Sequence, residues 1–288
     1  MKTSIDCIPC LVRQMIEATR YVSDDTSVHE RVLREILHSL SEINLYQSPP
    51  VVGQWMHRRL REVTGNSDPY RQVKDRFNHL ALDLLPDLKA KVLSSSDPLK
   101  TAALLAITGN VIDMGPKSTL TEDEVRLIIA RTLSETFHVD IENLRSEIDK
   151  ASSILYLADN AGEIVFDRLL IEELPVERVT LAVRGGPIIN DATMDDANTA
   201  GLHEIISVID NGSDAPGTIL NDCSQEFRRR FEDADLIIAK GHGNYETLSD
   251  EKANIFFLFR VKCAVAVAET GFELGTNMLI RALRRIDP

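Results

Sequence analysis

The chain has 288 residues, 27% of them charged and 43% hydrophobic, with a formal net charge of −13. That length can bury a sizeable core in one large domain or two modest ones. The acidic balance argues against nonspecific binding to nucleic acid or to an anionic membrane, since both need a basic stripe.

No apolar run reaches the roughly 18 residues of a membrane span, and no basic-then-apolar leader opens the chain, so a cytoplasmic protein is expected. Cys7, Cys10, Cys223 and Cys263 are expected as free thiols. The Cys7-Ile8-Pro9-Cys10 spacing invites a redox or zinc reading, but no strand precedes it and no second close pair completes four ligands.

In chain order, the first 150 residues carry helical spacing almost throughout. Leu11, Met15 and Ile16 share one face, as do Val32, Leu33, Ile36 and Leu37. Pro49 and Pro50 after Ser48 mark a helix start, where the first N–H groups are unpaired anyway. Further helices are predicted over Tyr70 to Leu93, Leu99 to Ile107 and Glu122 to Thr136. Thr121 and Glu124 supply a capping box for the last of these. No strand pattern interrupts this half.

From about Ser152 short apolar runs alternate with amphipathic ones, the pattern of a parallel sheet with helices on its faces. Strands are predicted at Ile154–Ala158, Arg178–Val183, Ile205–Ile209, Leu236–Ala239 and Ile255–Phe259. The expected fold is therefore α/β: a Rossmann-like parallel sheet over residues 151–288, joined to an all-helical region, residues 1–150, that caps the site.

Three predicted strand ends carry chemistry. The first empties into Asp159-Asn160-Ala161-Gly162-Glu163, the second into Arg184-Gly185-Gly186 and on to Asn190-Asp191, the fourth into Lys240-Gly241-His242-Gly243-Asn244. In open α/β sheets ligands bind outside the carboxyl ends of strands, where the next helix aims free N–H groups at an anion. A carboxylate and an amide at such a turn can hold a hard cation against a phosphate, and a lysine in a glycine loop can cradle phosphate oxygens.

These motifs, with Cys7-x-x-Cys10, Asp68-Pro69-Tyr70, Gly109-Asn110-Val111-Ile112-Asp113 and Arg260-Val261-Lys262-Cys263, resemble the damage-control phosphatase family. The cysteine pair resembles that family's first, largely prokaryotic, subfamily. The resemblance implies a metal-dependent phosphatase acting on small phosphorylated metabolites. It implies that Asp159, Asn160 and Asp191 hold a divalent cation, with magnesium, manganese, cobalt or nickel as candidates, and that Lys240 contacts phosphate with Lys262 as a second basic position. Glu163, Arg184, Asn190, Gly241 and Asn244 complete the expected substrate-binding set.

Each residue also has a structural explanation. Asp159 and Asp191 can cap helices, Asn160 can form a turn, Glu163 can serve as a first-turn acid, and Arg184 can pair with a surface carboxylate. Lys262 can snorkel outward from its apolar neighbours. His242 has no paired nucleophile, so loop geometry accounts for it. Two other function classes share the sheet: a nucleotide- or methyl-donor-binding Rossmann protein, for which the first turn lacks G-x-G-x-x-G, and a noncatalytic sugar-phosphate sensor.

Overall fold

The computed structural model describes residues 1–110, 121–135 and 137–282. Asp113 of the family motif lies outside these residues, as do Val111, Ile112 and Thr136.

Six helices come first: α1 (Cys7–Val22), α2 (Thr26–Leu40), α3 (Pro49–Thr64), α4 (Arg71–Leu93), α5 (Pro98–Gly109) and α6 (Glu122–Leu133). Their ends follow local chemistry. Helix α3 starts at the Pro49-Pro50 pair, and α5 starts at Pro98 behind Asp97, whose side chain accepts the Lys100 N–H. Thr121 and Glu124 form the predicted capping box of α6.

A short strand β1 (Phe137–Val139) and helix α7 (Ile141–Lys150) follow. The strand corrects the expectation of an uninterrupted helical half. At three residues it is too short to show a period, and it is defined by its neighbour rather than by its own pattern.

The rest alternates: β2 (Ile154–Leu157), α8 (Glu163–Ile171), β3 (Val179–Val183), α9 (Met194–Thr199), β4 (Ser207–Asp210), α10 (Gln225–Asp233), β5 (Leu236–Lys240), α11 (Gly241–Leu248), β6 (Ile255–Arg260), α12 (Ala264–Thr270) and β7 (Asn277–Arg281). The sheet order is β1-β7-β6-β5-β2-β3-β4. Strands β4, β3, β2, β5 and β6 are mutually parallel, β7 is antiparallel to β6, and β1 pairs parallel to β7. Strand β7 was not predicted, and β4 begins two residues later than expected.

Alternation across the sheet builds two cores. Ile154, Tyr156, Leu181, Leu236 and Ile238 face α4 to α8, while Leu155, Leu157, Ile237, Phe257 and Phe259 face α10, α11 and α12. Helices α1, α2 and α3 bury a separate satellite core around Met15, Ile36, Met56 and Leu60. The strand order reverses between β2 and β5, because β3 and β4 extend the sheet one way and β5 and β6 the other. Such a switch point opens a crevice at the carboxyl ends of its two strands, which here lead into Asp159 and Gly241.

Candidate active site

The turn after β2 and the loop after β3 pair with each other. Ala161 N–H donates to Asn190 O at 2.8 Å, Ala192 N–H donates to Asp159 O at 2.8 Å, and Asn160 and Asp191 form an antiparallel bridge. That short ladder sets Asp159, Asn160 and Asp191 side by side, though 32 residues separate the first from the last.

Arg184, only 2% exposed, sits between the two acids. Its Nε donates to Asp191 Oδ2 at 2.7 Å and its Nη2 lies 3.8 Å from Asp159 Oδ1. Its Nη1 reaches Asn244 Oδ1 and Thr218 Oγ1 at 3.4 and 3.5 Å. Asn244 in turn donates to Ala158 O and Lys240 O, tying α11 to the end of β2.

Around Asp159 Oδ2, two amides converge: Asn110 Nδ2 at 2.8 Å and Asn160 Nδ2 at 2.7 Å. Each of these amides also donates to Glu163 Oε2 at 2.9 Å. Both bonds of the Asn160 side chain use its nitrogen, so its carbonyl oxygen takes no part in them. Glu163 Oε1 accepts from Lys240 Nζ at 2.6 Å.

Lys240 is fully buried, and its ammonium also donates to Asp167 Oδ1 at 2.6 Å and Ala106 O at 2.9 Å. Its three protons are thus all engaged below the pocket floor. Tyr156 Oη donates to the same Asp167 oxygen, and Asp167 Oδ2 and Asn110 Oδ1 are buried without a hydrogen-bond partner among the described residues.

Four carboxylates, Asp159, Glu163, Asp167 and Asp191, therefore share two buried cations, Lys240 and Arg184. Burial pushes Asp159 well above the usual carboxylate range, reinforced by Glu163 and Asp191 and opposed by Arg184 and Lys262. Burial raises Asp191 to about 6 against the pull of Arg184, and Asp167 to about 6 against Lys240. For Lys240, burial acts downward but Asp167 and Glu163 overcome it and hold the ammonium charged.

Above this floor lies a cavity of about 90 Å³. Asn110, Asn160, Glu163, Asn190 and Lys262 give it a polar end, and Phe77, Leu80, Leu84 and Phe166 an apolar wall. Lys262 is exposed at the mouth and close enough to lower the Asp159 pKa.

The predicted residues thus separate into layers. Asp159, Asn160 and Asp191 are brought together, Asn190, Glu163 and Lys262 line the cavity, and Arg184, Lys240, Gly241 and Asn244 support it from behind. Sequence reasoning missed Asp167 and Tyr156. The signal was present, since Glu163 and Asp167 stand at i and i+4 on the face of α8 that its apolar residues mark as buried.

Among the described residues, no group of three or more His, Cys, Asp or Glu side chains is arranged to hold a metal by itself. The oxygen set here is two carboxylates and an amide. Such a set fits a hard divalent cation that keeps positions open for water and phosphate.

The family described as "Damage-control phosphatase ARMT1-like domain" matches residues 3–278. A protein of Archaeoglobus fulgidus named damage-control phosphatase is 38% identical over 96% of this chain and 97% of its own. Another of that name, from Pyrococcus horikoshii, is 34% identical over 98% of each chain. An uncharacterized protein of Methanocaldococcus jannaschii is 35% identical over 98% of this chain and 96% of its own. The crystal structure of a DUF89 family protein from Pyrococcus horikoshii superposes with a TM-score of 0.90 at 32% identity, covering 98% of this chain and 99% of that one.

The fold and the acid-rich strand-end site define an α/β protein with its polar site at the switch point of the sheet. The chain belongs to the damage-control phosphatase family.

Proposed function

We propose that the chain is a divalent-cation-dependent phosphatase hydrolysing phosphomonoesters of small metabolites, sugar phosphates or damaged phosphometabolites among them. The observation that supports this reading most is the pairing of the two strand-end loops. It gathers Asp159, Asn160 and Asp191 beside a cavity whose exposed cation is Lys262.

Asp159, Asn160 and Asp191 would hold the cation, with magnesium, manganese, cobalt and nickel as candidates. When bound, the cation supplies Lewis-acid polarisation of the phosphoryl group and charge neutralisation.

The chain's own residues do the rest. Arg184 holds both carboxylates in place from behind, and Asn110 and Asn160 fix Asp159 Oδ2. Lys262 is the lysine placed to meet the phosphate, its flexible stem allowing it to follow the equatorial oxygens. Lys240 acts beneath the floor, donating to Glu163 Oε1 while Glu163 Oε2 accepts from both amides.

The test is phosphate release from p-nitrophenyl phosphate and a panel of sugar phosphates by metal-stripped protein, with each cation added back in turn. Turnover is expected to return with cation and to be absent in folded Asp159→Ala. Full turnover in chelator overturns the cation requirement, and no release with any cation overturns the phosphatase reading in favour of a noncatalytic sensor.

A further inference from the structure

Helix α4 places two polar side chains where its packing face should be apolar. Lys74 and Asn78 stand one turn apart and are each 1% exposed, between Phe77, Ala81 and Leu84 of the core. A buried polar group on such a face needs partners, and those of Asn78 lie in two different segments, a turn and the start of a helix.

Asn78 Oδ1 accepts the Gly162 N–H at 2.7 Å, and Asn78 Nδ2 donates to Asp196 Oδ1 at 2.8 Å. Gly162 closes the turn that carries Asp159 and Asn160. Asp196 lies in the first turn of α9, and its Oδ2 accepts from Thr193 N and Oγ1 at 2.8 Å each, two residues beyond Asp191. Lys74 Nζ reaches the same Asp196 Oδ2 at 3.1 Å. One amide thus bridges both segments that supply the oxygen set. The choice of residue follows from chemistry, since an N–H must be accepted on one side and a carboxylate approached on the other, and an amide presents both.

Two further features show that these loops are held from outside. A Cβ on Gly162, where φ is +74°, would lie 2.9 Å from Phe77 Cβ and 3.2 Å from Phe77 O, so the first turn is pressed onto α4 itself. In the second loop Ile189 has φ +44°, a left-handed conformation that a β-branched residue keeps only when its surroundings over-determine it. Ile189 packs against the satellite core of α1, α2 and α3.

We infer that Asn78 is a positioning residue that fixes the spacing between the Asp159-Asn160 turn and the Asp191 loop. The helical half then acts as the frame of the oxygen set. The consequence for cation affinity rests on the phosphatase reading above, whereas the coupling of the two loops does not.

The test compares wild type with Asn78→Ala, with the near-isosteric Asn78→Asp, and with Val92→Ala, a core truncation farther along α4. Backbone amide exchange is measured in cation-free protein, and Mn²⁺ alone is titrated calorimetrically. Asn78→Ala is expected to speed exchange in residues 159–163 and 188–193 together and to weaken Mn²⁺ binding tenfold or more, the scale seen when groups supporting metal ligands are removed. Val92→Ala should lower the urea midpoint while leaving Mn²⁺ affinity within about twofold.

Asn78→Asp keeps the acceptor for Gly162 but sets a carboxylate against Asp196, so it should weaken Mn²⁺ binding in the same direction. It decides the matter if the alanine variant does not fold. Unchanged exchange in the second loop, or wild-type Mn²⁺ affinity in a folded Asn78 variant, overturns the inference. Wild type that binds no Mn²⁺, with the coupled change in exchange still produced by Asn78→Ala, overturns the Mn²⁺ reading and leaves the coupling of the two loops standing.

Discussion

Gly241 lies directly against the Asp159 carboxylate: a methyl group on its Cα would sit 1.9 Å from Oδ2 and 2.6 Å from Oδ1. Its φ of +78° belongs to the left-handed region. Gly241→Ala must therefore both strain the start of α11 and push the carboxylate away from Asn110 and Asn160. A displacement on the order of 1 Å at a reacting centre costs about a hundredfold in turnover. The expected result is that loss in kcat in a protein that still melts cooperatively. Near-normal turnover would show that the Asp159 carboxylate tolerates movement and is not the fixed point of the site.

Lys240→Met leaves Glu163 and Asp167 buried without their shared cation. Breaking a buried ion pair from one side costs about 3–5 kcal/mol, because the charge left behind has no compensation. A large fall in the urea midpoint is expected, together with loss of phosphatase activity at any cation concentration. Activity lost without a stability change would place Lys240 in contact with substrate instead.

The parallel strands and most helices of the first half were legible because their periods differ and their ends carry Pro, Asp and Thr signals. Residues such as Ile154 to Leu157 and Leu236 to Ala239 have no other use for a continuous apolar run. β1 and β7 were not legible: β1, at the sheet edge, has only three residues, and β7, paired between β1 and β6, has an apolar run of only Met278 to Ile280, so both are defined by pairing rather than by their own pattern. The acids at the strand ends could be named from sequence. Their layering could not, because which lysine faces solvent depends on how α5 and α8 close over Lys240. The bridge through Asn78 joins positions 84 and 118 residues apart, and no local spacing encodes it.

Arg184→Lys keeps the charge and removes the planar fork. Arginine now serves Asp191 through Nε and approaches Asp159 through Nη2, and a lysine's single ammonium cannot reproduce both directions. The catalytic efficiency should fall at least about tenfold, with a fall in Mn²⁺ affinity accompanying it. If kcat/KM and Mn²⁺ affinity both survive, the two carboxylates are positioned by the loop pairing alone.

Glu246 offers a test of burial electrostatics away from the oxygen set. Its side chain on α11 is 14% exposed, and the nearest imidazole, His242 at 4.0 Å, is itself lowered to about 4 by burial and then by Lys262. A neutral histidine cannot compensate the acid. Burial pushes the Glu246 carboxyl up from 4.5 to about 7, with the Met1 ammonium pulling the other way, and Cys7 and Cys10 feel its charge. An acid whose folded pKa is raised binds more protons folded than unfolded, so its penalty is absent below pH 4.5, grows as pH rises, and is complete above about 7. That interval corresponds to roughly 3 kcal/mol. Glu246→Gln removes the titration. The variant should match wild type near pH 4 and exceed it in unfolding free energy at pH 8, with a flatter profile between. A variant less stable than wild type at pH 8 would show that the ionised carboxylate is compensated in the folded protein, and that burial does not set its charge.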